Sequence, residues 1–283
     1  MEFEKNKGGL KAALNKIGIG LGDIVYVASD LKTFLFTLAM DFGVKTKSDQ
    51  NQALHSFINE LQEIVGRDGT LLFPVFSWDW CKGKGFDIKT TKGEVGTLSN
   101  WVLSSRSDFV RTRHPIYSFM VWGKDAGYLK EMDNQDAWSH ASPFYYFQRY
   151  NAKQLLFNID ASECLTFGHY LEQEIGIPYR YPKYFFGEYT DEFGITEKRM
   201  YSMYVRDMDS ESNWVISNEW LIENHAAKRA EWEGNVLTSI DLKKSYPVIR
   251  DDIVNNNGKN TLIYTFDKTK EQTIPYEVKG IEI

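Results

Sequence analysis

Residues 23–31 read DIVYVASDL, and this run decides the fold. Its consecutive β-branched and aromatic residues read as a buried strand ending at Ser29. Upstream, residues 6–19 place Leu10, Ala13, Leu14 and Ile17 at helical spacing, closed by Gly-Ile-Gly. Downstream, residues 49–65 put Leu54, Phe57, Ile58, Leu61 and Ile64 on one face of an amphipathic helix. A GRDG turn leads into a second strand, TLLFPVFS. GTLSNWVLSS opens a helix, HPIYSFMVWG reads as a third strand, and SPFYYFQRY starts a helix with Pro143 at an early position, where its missing N–H costs nothing. KQLLFNID is a fourth strand. Helices alternating with strands favour a layered α/β sheet. Ligands of such sheets sit beyond the C-terminal strand ends. That places Ser29–Asp30, Phe76–Ser77 and the 158–169 loop along one edge.

After Pro182 the texture changes. Residues 183–215 alternate aromatic and polar side chains, as antiparallel strands do. A helix is expected over SNEWLIENHAAKRA (217–230), and short strands in the tail from Asn255. No linker rich in Pro, Gly or Ser interrupts the chain. The reading is one domain over 1–283, with about 183–283 as its C-terminal antiparallel elaboration.

Composition narrows the function. Of 283 residues, 42% are hydrophobic and 25% charged, the mixture of a soluble globular protein. No apolar run reaches membrane-spanning length, and the charged N-terminus lacks a signal-peptide core, so a cytoplasmic location is expected. The net charge of −6, with no basic run, argues against nucleic acid as a partner. The two cysteines, Cys81 and Cys164, are too few for a disulfide framework or zinc cluster.

Five histidines are present. His55 and His225 fall in helical stretches and read as surface or packing residues. His140 precedes a helix start and reads as a loop residue. His114, ahead of Pro115 and a strand, can fix a loop or touch a ligand. His169 is the informative one. In LTFGHYLEQEIGIPYR (165–180), Thr166 is placed to cap a helix N-terminus, and His169 and Glu172 share a face at i, i+3. The carboxylate can take the imidazole N–H, fix the tautomer and favour the protonated ring. The helix N-terminus opposes that and favours the neutral base. An ordinary exposed pair has the same spacing. A catalytic zinc needs three protein ligands, and no HExxH or second histidine cluster supplies them, so no metal is expected. Cys164 is a conceivable nucleophile, but nothing near it in sequence lowers its pKa. No Gly-rich nucleotide fingerprint follows the first strand; KGKGFD (82–87) is too short for one.

Taken in order, GDIVYVASDL, VGRDGTLLFPVFSW, FDIKTTKGEVGTLSNWV, RSDFVRTRHPIYSFMVWGKDA, HASPF and LTFGHYLEQ resemble the aminoglycoside 3-N-acetyltransferase family over about residues 20–180. The resemblance implies an α/β/α fold with its cleft at one sheet edge, coenzyme A as acyl donor, and direct transfer to a primary amine. The family's Thr-x-x-His-x-x-Glu falls on Thr166, His169 and Glu172. Its His-Pro…Ser-Phe falls on His114, Pro115, Ser118 and Phe119, and its Ser-Pro helix start on Ser142 and Pro143. Donor contacts are then expected from Ser29, Leu31, Phe76, Ser77, His114, Ser118 and Ser142. The family's loop after the first strand usually reads His-Ser/Thr-Ser-Leu, whereas here it is Ala28-Ser29-Asp30-Leu31. That aspartate, the FDIKTTKGEVG run and a missing proline-rich insert after PVFSW look more like the branch that acylates nucleotide-linked amino sugars.

On this reading His169 is the general base and Glu172 orients it. Asp30 and Asp79 are candidates to hold the acceptor amine or hydroxyls, and Trp78 to offer a sugar face; each also reads as a plain loop residue. Backbone N–H groups near Ser29–Leu31 or Phe76–Ser77 are candidates for the oxyanion. The rival readings are an aminoglycoside acceptor, a non-catalytic carbohydrate-binding module and thioester hydrolysis. The oligomeric state stays open, a homodimer being one form.

Overall fold

The computed structural model describes residues 7–41 and 43–265; the expected N-terminal segment before residue 7 and the end of the tail lie outside them. The elements run α1 (Lys7–Lys16), β1 (Ile24–Ser29), α2 (Leu31–Asp41), α3 (Lys47–Val65), β2 (Thr70–Phe76), a 3-10 turn at Trp80–Lys82, β3 (Phe86–Asp87) and α4 (Thr97–Ser105). They continue with β4 (Val110–Arg111), β5 (Tyr117–Gly123), α5 (Ala126–Glu131), α6 (Pro143–Arg149), β6 (Lys153–Phe157), α7 (Ala161–Cys164) and α8 (Phe167–Ile175). The rest comprises β7 (Arg180–Thr190), β8 (Thr196–Arg206), β9 (Glu211–Trp214), α9 (Asn218–Glu223), β10 (Ala227–Trp232), β11 (Asn235–Asp241), α10 (Leu242–Asn255) and β12 (Leu262–Thr265).

The main sheet is mixed, in the order β10-β11-β6-β1-β2-β5-β4. Strand β1 pairs in parallel with β2 and β6, and β5 runs antiparallel to β2, with Phe76 opposite Tyr117. Alternation along β1 sends Val25 and Val27 to one face and Tyr26 and Ala28 to the other. The first face is covered by α1 to α4, through Leu10, Phe34, Phe57, Ile58 and Leu98. The second carries α5 to α8 and α10, through Leu129, Phe144, Ala161, Phe167 and Ile249. This is the expected three-layer architecture. Helix α3 starts with a capping box, Thr46 and Asp49 each bonding the other's backbone N–H.

Separate from the main sheet, β7 and β8 form a long antiparallel hairpin joined by β3, and β9 pairs with β12. Two expectations need correction. The helix foreseen over 217–230 ends at Glu223, and Ala227–Trp232 is strand β10. Its residues have fair helix propensity, but Ala227, Ala230 and Trp232 turn inward while β10 completes the main sheet beside β11. Tertiary pairing overrides propensity here. His225 is therefore not mid-helix; it sits in the turn between α9 and β10 at a left-handed φ of 58°. The C-terminal part thus supplies two strands of the main sheet as well as the antiparallel elaboration.

Candidate active site

Helix α8 carries His169 and Glu172 beneath the β7–β8 hairpin. Nδ1 of His169 lies 2.5 Å from Oε2 of Glu172. The carboxylate is fully buried, whereas the imidazole side chain keeps 28% of its surface. Glu172 has two further partners. The Tyr179 hydroxyl donates to Oε1, and Nε of Arg180 lies 2.9 Å from Oε2 as an ion pair. A second guanidinium nitrogen of Arg180 is 3.4 Å from His169 Nδ1, and a third donates to the Tyr204 carbonyl at 3.1 Å. Burial alone pushes the Glu172 carboxyl up, but His169, Arg180 and Tyr179 together outweigh it and hold the group below its ordinary range. Glu172 is therefore a fixed anion at neutral pH.

Aromatic rings wall the imidazole. Trp138 stands edge-on at 5.7 Å and Trp214 at 6.2 Å between ring centroids. Trp214 reaches this position because residue 168 is glycine: a Cβ there would lie 2.5 Å from the indole. Tyr264 of β12 packs on Tyr179 at 4.6 Å, so the small β9–β12 sheet closes one side of the site. From Trp138 the wall continues to Tyr117 at 4.4 Å and on to Trp78 at 6.5 Å. The Trp78 ring stands edge-on to Tyr117, close to its hydroxyl. Since Nδ1 is taken up by Glu172, Nε2 is the nitrogen turned away from the carboxylate.

Thr166 does not cap α8. Its own backbone is helical, no side-chain cap bond forms, and its hydroxyl lies near the buried Tyr26 phenol instead. Asp30 caps α2: its carboxylate accepts the Lys32 N–H at 3.0 Å and the Thr33 hydroxyl at 2.6 Å. The donors of that helix start are thus partly taken, and an anion arriving there meets a carboxylate. Ser29 is half-buried at the strand end, and Leu31 and Phe76 are core residues. Ser77 is buried, its hydroxyl accepting the Asp79 N–H at 3.3 Å.

His114 is buried. Its Nδ1 accepts the Tyr117 N–H at 3.1 Å and the Ile116 N–H at 3.3 Å, and burial pushes its pKa down to about 3. Ser118 accepts from Arg111 Nε at 3.0 Å and donates to the Val75 carbonyl at 2.9 Å. Arg111 also holds the Ile88 and Thr91 carbonyls and lies over the Phe86 ring. The FDIKTTKGEVG run is thereby clamped to the sheet. Ser142 caps α6 through the Tyr145 N–H. These buried polar groups are spent on loops and helix ends. Asp79 is at the surface, held by Lys84 at 2.9 Å and Lys82 at 3.6 Å, and Lys82 also pairs with Glu94 at 3.1 Å.

Sequence reasoning missed Tyr179, Arg180, Trp138 and Trp214. Tyr179 and Arg180 lie inside the quoted run but beyond the end of α8, so helical spacing gave them no role. Burial pushes the Cys164 thiol far up, with Asp160 and Glu163 adding to it, so it is not a ready thiolate. Among the described residues no group of three metal-ligating side chains gathers, and no helix is long and apolar enough to cross a membrane.

Similar folds are found among solved structures. AAC-VIa with bound sisomicin superposes with a TM-score of 0.68 at 17% identity, covering 87% of this chain and 97% of that one. The YokD protein from Bacillus subtilis gives 0.66 at 17% identity, covering 90% and 95%. AAC-IIIb, solved as a binary complex with CoASH, gives 0.64 at 17% identity, covering 87% and 96%. At such identity the likeness shows the fold. A search of curated proteins by sequence finds no match. A protein-family match described as aminoglycoside 3-N-acetyltransferase spans residues 47–248, most of the chain and every residue of the His169 site except Tyr264. The chain belongs to the aminoglycoside 3-N-acetyltransferase family, and it is an acyl-CoA-dependent N-acyltransferase.

Proposed function

We propose that the protein transfers an acyl group from coenzyme A to the primary amine of a nucleotide-linked amino sugar, with His169 as general base and Glu172 as its orienting partner. One observation carries the base assignment: a half-buried imidazole, edged by two indoles, has its Nδ1 on a buried carboxylate. An alkylammonium must lose a proton before it can attack a thioester. His169 Nε2 takes that proton, and Glu172 stabilises the imidazolium that forms. A placed base of this kind is worth about 10²–10⁴-fold. Bound coenzyme A supplies the thioester. The half-buried Trp214 indole suits its apolar pantetheine arm, and half-buried Ser29 at the end of β1 is available to the donor. As the amine nitrogen bonds the carbonyl carbon, the C–S bond breaks; the thiolate takes up the proton held on His169, and the nitrogen's second surplus proton leaves to solvent, giving a neutral amide and free coenzyme A thiol.

The acceptor class is argued from charge. A polycationic drug calls for unpaired carboxylates at the rim. Near Trp78 the acids Asp79 and Glu94 are each neutralised by lysine, and Asp30 is committed to its helix cap. That arrangement suits a sugar whose remaining charge is negative. A second reading, an aminoglycoside acceptor, is favoured by family membership and by the sisomicin-bound neighbour. Thiol release from acetyl-CoA, measured across nucleotide-linked amino sugars and aminoglycosides, separates the two. Turnover with the former alone supports the proposal. Turnover confined to aminoglycosides overturns the acceptor class, and release without any amine overturns N-acyl transfer in favour of hydrolysis.

A further inference from the structure

We propose that Arg180 is a positioning residue for the His169–Glu172 pair: it pins the buried carboxylate from the hairpin side and balances the carboxylate's charge beside the ring. The inference rests on the reading of His169 as base and deepens it.

A buried carboxylate 2.5 Å from an imidazole is by itself a liability for a base. Its uncompensated charge draws a proton onto the ring, and a ring that holds a proton at rest accepts none from the substrate. Glu172 is fully buried, so solvent screens little of this pull. The countercharge must come from the protein.

Arg180 fits that role by position. It is the first residue of β7, only eight positions beyond Glu172, and it faces both members of the pair. Its Nε is 2.9 Å from the carboxylate oxygen that the ring also uses, and another guanidinium nitrogen is 3.4 Å from the ring's Nδ1. A third contact, to the Tyr204 carbonyl on β8, and the Tyr179 ring 5.6 Å below the guanidinium hold it in place. The planar fork makes these contacts at once, which a lysine ammonium on its flexible stem does less well.

The other groups around the pair do not replace this charge. Tyr179 donates a hydrogen bond to the free carboxylate oxygen but carries no charge. Tyr204 from β8 and Tyr117 from β5 both feel Glu172 and Arg180, and both are neutral with phenols pushed up by burial. Trp138 and Trp214 are neutral. Among the described residues Arg180 is the one permanent cation paired with the carboxylate.

The test is the pH dependence of kcat/KM, with folding checked by thermal melting. Arg180→Met keeps much of the side-chain volume and removes the charge. The acid limb should then move to higher pH by about one unit or more. The rate deficit at neutral pH should shrink as pH rises, and Arg180→Lys should restore much of the wild-type limb. A folded Arg180→Met enzyme whose rate falls by the same factor at every pH overturns the proposal, because that is what a purely structural arginine does. Should Arg180→Met fail to fold, NMR titration of the His169 ring in Glu172→Gln and in Glu172→Gln/Arg180→Met decides. The double variant should titrate at higher pH than the single one, and coincident curves overturn the proposal. The base reading fails separately: near-normal turnover by His169→Ala defeats it while leaving the ring titration intact.

Discussion

Replacing Glu172 by glutamine tests the core of the proposed chemistry with the smallest change in shape. The carboxylate meets three groups in the native site: His169 Nδ1 and the Tyr179 hydroxyl as donors, and Arg180 as an ion-pair partner. Glutamine offers one acceptor oxygen, and its amide nitrogen must face one of those donors. The larger loss is charge. An imidazolium centred about 4 Å from a carboxylate is stabilised by about 4 kcal/mol at an effective dielectric near 20. Only part of that charge has developed at the transition state, so about 2–4 kcal/mol is forfeited, or about 30- to 10³-fold in kcat/KM. The sign of the pH effect is also fixed. With the anion gone and Arg180 left in place, the ring gives up its proton more readily, so the acid limb of kcat/KM moves to lower pH. The assay is thiol release from acyl-CoA with saturating amine, run from pH 5.5 to 9 on protein whose fold is confirmed by circular dichroism. The buried guanidinium loses its partner, and breaking such a pair costs about 3–5 kcal/mol of stability, so rates are read well below the melting point. A folded variant within about threefold of wild type at all pH values, with an unmoved acid limb, refutes the role given to Glu172.

Two further outcomes follow from other parts of the molecule. Cys164→Ala should keep turnover within about twofold, because the thiol is buried and its pKa raised; an acyl-enzyme trapped with donor alone, or loss of activity in this variant, shows a covalent route instead. His114 has its folded-state pKa depressed from 6.5 to about 3. The unfolded chain therefore binds the extra proton first, and the stability contributed by neutral His114 is complete above about pH 6.5 and lost as pH falls toward 3. Wild-type unfolding free energy should fall through that window, by an amount on the order of 3–5 kcal/mol at its acid end, with a parallel fall in melting temperature, and His114→Asn should flatten the slope; an unchanged slope contradicts the assignment.

What could be read in advance divides along physical lines. The strand at Asp23–Leu31 and the helix at 49–65 announced themselves because burial on both faces, or on one stripe, leaves a local periodic trace. The His169–Glu172 spacing was legible for the same reason: one helical turn is a local fact. Thr166 looked like a cap because its residue type and place fit one, yet its hydroxyl lies near Tyr26, a residue distant in sequence. Asp30 invited a substrate role, but the helix α2 that it caps went unread, and with it the reason for an acid there. Strand β10 was hidden because its pairing with β11 decides its conformation, not its own composition. Arg180, Trp138 and Trp214 left no trace, since their meaning lies in distances across the fold.

The position of these late-found residues bears on how the family's sheet can serve different acceptors. His169 and Glu172, the proposed base and its orienting carboxylate, sit on α8, which is anchored in the core through Phe167, Tyr170 and Leu171. Their environment is supplied from elsewhere: Arg180 from the hairpin, Trp214 from β9, and Tyr264 from β12 through Tyr179. A constant proton-transfer pair on a rigid helix, with walls lent by a separately paired hairpin and ribbon, lets the acceptor side vary without disturbing the geometry of the base. Gly168 is where the two parts meet, because its missing side chain is what lets the Trp214 indole lie against α8 beside His169. On the proposed mechanism the antiparallel elaboration is for this reason part of the site and not an appendage to it.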